Sequence, residues 1–130
     1  MMLLALCYAV SAEVVVIVHQ KSDLLVAKKS DIVKVFTGRG TQLEAIVFKP
    51  ILQTKGTAHE EFLNNYLYRT NLQLSNAWKK LVFTGKASMP VVVESDVEVI
   101  SAILKDPKIV GYVDRNSIME NNDIVILELQ

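Results

Sequence analysis

The chain has 130 residues, 51% of them hydrophobic, which suits one domain with a real core and leaves little room for two. Fourteen Lys and Arg balance fourteen Asp and Glu. That balance excludes a nucleic-acid binder driven by its overall field and a polybasic membrane anchor, so an anion would have to be held by a few placed donors.

Residues 1–12 carry no charge and end in Val10-Ser11-Ala12, a small-residue pattern that signal peptidase accepts. We expect a secretory signal cleaved after Ala12, with its basic leading region missing, and a single domain over residues 13–130. Export then places the protein in the periplasm. The segment is too short to cross a bilayer. Cys7 is the one cysteine, and Leu6 before it does not suit a lipoprotein signal. The mature chain is therefore expected to hold no disulfide, thiol nucleophile or cysteine metal site.

Val14-Val15-Val16-Ile17-Val18 is β-branched throughout and does not alternate, which predicts a central strand buried on both faces. Gln20 to Leu25 reads as a loop. Ser30 can cap a helix through about Thr37, with Ile32, Val35 and Phe36 inward and Gly38 ending it. Gln42 to Leu52 is a second strand candidate, with Pro50 marking a bend or an edge. Thr57 with Glu60 three residues later forms a capping-box pattern, so a helix is predicted to start at Thr57. A third helix is expected over Ser75–Phe83, with Ala77, Trp78, Leu81 and Val82 inward and Gly85 after it. Pro90–Glu94 is another β-branched run. Ser95 and Glu98 repeat the capping pattern before a helix to Lys105, which Asp106-Pro107 stops. Ile109–Val113 and Ile124–Leu129 are the last predicted strands. This alternation implies an α/β fold, a three-layer αβα sandwich around a mainly parallel sheet of about five strands. Phe36-Thr37-Gly38-Arg39 and Phe83-Thr84-Gly85-Lys86 echo each other, and shared helix C-capping explains the echo without duplication.

Ligands of open α/β sheets bind beyond the carboxyl ends of the strands. That rule nominates three loops, His19–Asp23, Gln53–Thr57 and Asp114–Ser117. The middle loop carries the strongest signal. Thr54-Lys55-Gly56-Thr57 leads into a predicted helix, whose first amides have no intrahelical partner and attract an oxyanion. Gly56 would let the backbone approach, the Thr hydroxyls would add donors, and Lys55 would add charge. The competing reading is a plain cap by Thr57. In the first loop Ser22 and Lys21 are candidate donors, while His19 suits a structural role. Asp114 and Arg115 read as a turn. The two histidines lack metal-ligand spacing, the acids are dispersed, and no serine elbow occurs, so neither a metal, a cofactor nor an enzyme is expected. Trp78 at helical spacing reads as core.

The order of segments resembles the phosphate-type substrate-binding proteins of bacterial import systems. The matching pieces are Ser30-Asp31-Ile32-Val33-Lys34-Val35-Phe36-Thr37-Gly38, Lys55-Gly56-Thr57 before a helix with Phe62, Trp78, Phe83-Thr84-Gly85, and Ile109-Val110-Gly111-Tyr112-Val113. The resemblance implies one lobe of a type II periplasmic binding fold, a short single-lobe form of a chain that usually closes two lobes over one oxyanion. It implies phosphate or a similar oxyanion as ligand, a link to phosphate uptake through an ABC transporter, and that membrane transporter or a second copy of the chain as partner. Gly56 and Thr57 match the Ser-Gly-Thr stretch of the family, and Lys55 replaces its Ser. Ile51 stands where the family has an Arg, and a lone Lys lacks the bidentate fork of that Arg. The alternative expectation is a protein-interaction module that keeps the fold without the ligand.

Overall fold

A computed structural model describes residues 13–40, 42–43, 46–119 and 123–130. The proposed signal, residues 1–12, lies outside the described residues. In chain order the elements are β1 (Val14–His19), β2 (Val26–Ala27), α1 (Lys29–Phe36), β3 (Gln42–Leu43), β4 (Ile46–Val47), β5 (Lys49–Gln53) and α2 (Thr57–Phe62). There follow a π-helical turn (Leu63–Leu67), α3 (Asn71–Phe83), β6 (Val91–Val93), α4 (Asp96–Lys105), β7 (Ile109–Asp114), a 3-10 turn (Arg115–Ser117), β8 (Ile124–Ile126) and β9 (Glu128–Leu129).

The main sheet has five strands in the order β6-β5-β7-β1-β8. β5 runs parallel to both β6 and β7, whereas β1 is antiparallel to β7 and β8. Four strands therefore point one way and β1 alone points the other. The fold is the expected α/β arrangement with a mostly parallel sheet, and β1 is buried at every position.

The side chains of β1 alternate between two cores, as strand geometry requires. Val14, Val16 and Val18 join Phe36, Phe62, Trp78 and Tyr112 on one face, under α1, α2 and α3. Val15 and Ile17 join Ile51, Val99, Ile103 and Val113 on the other, under α4. Each such buried side chain contributes on the order of 1.5–3 kcal/mol. The first core is keyed by aromatic rings. Phe62 stacks on Tyr112 with centroids 3.9 Å apart, and Phe36 meets both edge-on at 4.9 and 5.6 Å. One cluster thus fastens α1 and α2 to β7.

Several boundaries differ from the sequence reading, each for a local reason. α1 begins at Lys29 after Lys28, so Ser30 is inside the helix and does not cap it. α3 begins at Asn71 rather than Ser75, because Thr70 and Gln73 form a full capping box. Val82 faces solvent; Leu74 and Trp78 carry the buried stripe. Pro50 sits in an interior strand rather than at an edge. It pairs with Val110 of β7, while β6 joins only from Ile51, so no neighbour asks Pro50 for the hydrogen it lacks. The β-branched Val91–Val93 run is the sheet edge, with Val91 60% exposed.

Candidate functional site

Because β5, β6 and β7 are parallel, Gln53, Val93 and Asp114 end on the same side of the sheet. α2 and α4 follow β5 and β6, so both start there. Asn71 at the start of α3 reaches the same place through His59. The loop 54–56 joins β5 to α2 on this rim.

Thr57 does not cap α2. The cap residue is Gly56, at φ 101° and ψ 166°, a backbone region essentially reserved for glycine. Among the described residues no side chain accepts from the first amides of the helix, which the Thr57–Glu60 capping box would have engaged. Nothing lies within 4 Å of the place a Gly56 Cβ would occupy, so glycine is needed here for its dihedral angles rather than for space. Thr54, Lys55, Gly56 and Thr57 are all exposed. The Thr54 amide donates to Val93 O at 3.1 Å, which ties the loop to the edge strand and removes that amide from ligand binding. Among the described residues the ion pairs are Lys49–Asp106 and Arg115–Glu13, so Lys55 is not committed to an acid.

Behind the loop runs a buried polar chain that the sequence reading missed. The Gln53 amide donates to Tyr112 Oη at 2.8 Å, and Tyr112 O–H donates to His59 Nδ1 at 2.6 Å. His59 is therefore protonated at Nε2, which donates to Asn71 Oδ1. The Gln53 side-chain amide donates to Tyr112 O and to Asp96 Oδ1, each at 2.8 Å. Asp96 Oδ2 in turn accepts from the Asp114 amide and Ser117 Oγ at 3.0 and 2.6 Å. The chain links β5, β7 and the starts of α2, α3 and α4. Burial lowers the His59 pKa and raises that of Tyr112, so both are neutral. With each ring nitrogen engaged and 1% of the residue exposed, His59 offers no lone pair to a substrate. A cavity of 210 Å³ opens beside it, lined by Gln53, Thr54, His59, Asn71 and the apolar side chains of Leu74 and Trp78.

The predicted site residues are only partly brought together. Thr54, Lys55, Gly56 and Thr57 are contiguous on the rim. Ser22 is not with them: β1 runs against its neighbours, so the loop after His19 lies at the opposite end of the sheet. There Ser22 Oγ accepts from the Leu24 amide at 3.1 Å and His19 Nδ1 from the Lys21 amide at 3.0 Å, which are local turn roles. Asp114 caps the 3-10 turn through the Asn116 amide, as its turn reading expects. Ile51, at the family's Arg position, is buried against Val99 and Ile103.

The fold is that of one lobe of a periplasmic binding protein. Among solved structures, the chain is similar to one described as a phosphate ABC transporter substrate-binding protein from Clostridium perfringens, with phosphate bound (TM-score 0.66, 9% identity). It is also similar to PstS from Borrelia burgdorferi (TM-score 0.64, 15% identity) and an ABC-type phosphate transport receptor from Vibrio cholerae (TM-score 0.58, 9% identity). The matches cover 89–90% of this chain but 44–47% of theirs, so it spans less than half the length of those proteins. No family model and no curated protein matches the chain. No helix among the described residues is long and apolar enough to cross a membrane.

Proposed function

We propose that the chain is an exported solute-binding module that takes phosphate or a similar oxyanion at the start of α2 and serves phosphate uptake. The amides after Gly56, the Thr54 and Thr57 hydroxyls and the Lys55 ammonium are its ligands. The observation that carries this reading is the cap at Gly56, which brings no side chain to the first helix amides on the rim where open α/β sheets bind ligands. The phosphate bound by the Clostridium perfringens protein of the same fold supports the choice of anion. Calorimetric titration of residues 13–130 with phosphate and sulfate tests it. An open, solvated site predicts a dissociation constant on the order of 1 mM, weakened several-fold by Thr57→Ala. No heat at millimolar anion, with the variant indistinguishable from the parent, would sink it. Export is tested separately: protein recovered from the periplasm should begin at Glu13, and a retained Met1 would refute cleavage after Ala12.

A second reading is a protein-interaction module that keeps the fold without the anion, a transporter component or a second copy being its partner. The buried Ile51 and the exposed Val91 and Val92 of edge strand β6 favour it. A strictly monomeric protein that crosslinks to nothing in the periplasm would count against it.

A further inference from the structure

The repeated Phe-Thr-Gly-cation segments converge on one cavity. α1 and α3 both end in the same cap. Thr37 and Thr84 return their hydroxyls to Val33 O and Lys80 O, at 2.6 and 2.8 Å. Gly38 and Gly85 follow at φ 75° and 72°, the left-handed turn that glycine adopts without strain. The next amides, of Arg39 and Lys86, then close on Lys34 O and Leu81 O at 2.9 and 2.8 Å. Each cap therefore satisfies helix-end carbonyls and sets a cation one residue beyond it. A favourable helix dipole alone would explain a cation at either place. It would not explain why both meet at one hollow.

That hollow measures 510 Å³, within the range of small-molecule sites. Arg39 and Lys86 stand at its lining, above the buried side chains of Phe48, Ile51 and Trp78. Trp78 is held there by donating Nε1–H to Phe36 O at 3.0 Å. Lys49 also reaches the hollow but is paired with Asp106 at 3.1 Å. Among the described residues Arg39 and Lys86 have no acidic partner, and no Asp or Glu lines the cavity. The site lies where β5 and β7 begin, at Lys49, Pro50 and Ile109, the end of the sheet away from Thr54–Thr57.

We infer that this hollow is a second binding site, for a small amphipathic anion whose apolar body rests over Trp78 and whose carboxylate meets Arg39 and Lys86. An apolar floor supplies burial, and two cations that pair with no acid among the described residues select the charged end. Phosphate alone has no apolar body to place there, so this site is independent of the oxyanion loop.

Trp78 is the only tryptophan, so its fluorescence reports the cavity directly. The test is a titration of the mature protein with octanoate, using 1-octanol as the uncharged control. We expect a saturable change in emission with octanoate, weaker binding of octanol, and no displacement by millimolar phosphate. The double variant Arg39→Gln/Lys86→Gln should keep the parent circular dichroism and bind octanoate at least about ten-fold more weakly, one tenfold step in dissociation constant. An unchanged emission with octanoate, equal binding by the double variant, or displacement by phosphate would each overturn the inference.

Discussion

Tyr112 does two jobs with one side chain. Its ring stacks on Phe62, and its hydroxyl both accepts from the Gln53 amide and donates to His59. Tyr112→Phe keeps the ring and strands a buried amide and a buried ring nitrogen. The expected loss is about 1–3 kcal/mol in urea unfolding, and a loss below about 0.5 kcal/mol would contradict the chain of hydrogen bonds. His59 adds a pH dependence whose sign follows from burial. Its folded pKa lies below the ordinary 6.5, so below that pH the unfolded chain binds the proton more readily. The stability contributed by neutral His59 is complete above about pH 6.5 and is lost as pH falls through the depressed folded value. Protonation at Nδ1 would also face the Tyr112 hydroxyl with a second donor. Asn71 and the nearby Glu60 oppose the downward shift without cancelling it. Unfolding midpoints measured from pH 7.5 to 5 should fall more steeply for the parent than for His59→Gln; identical slopes would refute this role.

At the scale of elements, two caps separate pattern from geometry. The Thr70–Gln73 box forms, so Thr70→Ala should cost about 1 kcal/mol. The equally plausible Thr57–Glu60 box does not, because Gly56 takes the cap position one residue earlier. Gly56→Ala should therefore cost about 1–3 kcal/mol through strained backbone, against a few tenths for Thr57→Ala; the reverse order would place the cap at Thr57. What was legible in the sequence was local. β1, β7 and α4 follow from β-branched runs and from Ser95, whose hydroxyl accepts from the Glu98 amide. The exposure of Val91 was not legible, since its run matches Val14–Val18 in chemistry and only the absence of a neighbouring strand makes it an edge. The loop at Thr54–Thr57 was legible from a helix-start motif. Tyr112, His59 and Asn71 were not, because His59 lies 12 positions from Asn71 and 53 from Tyr112 in the chain, and the three become partners only through the fold.

At the scale of the molecule, the reversal of β1 decides where function can sit. The parallel β5, β6 and β7 end together with the starts of α2 and α4 on one rim, and the reversed β1 sends the loop of Ser22 to the other. The lobe thus presents two unlike ends. One carries uncapped helix amides over a neutral hydrogen-bonded chain; the other carries Arg39 and Lys86 over an apolar hollow. The reading of the first end as an oxyanion site is tested most directly by following backbone amide resonances of residues 13–130 during a phosphate titration. Saturable shifts are expected to be largest at Gly56, Thr57 and Ala58, with Ser22 and Leu24 unmoved. Resonances that stay still through tens of millimolar phosphate, or that move most at Arg39 and Lys86, would contradict that reading.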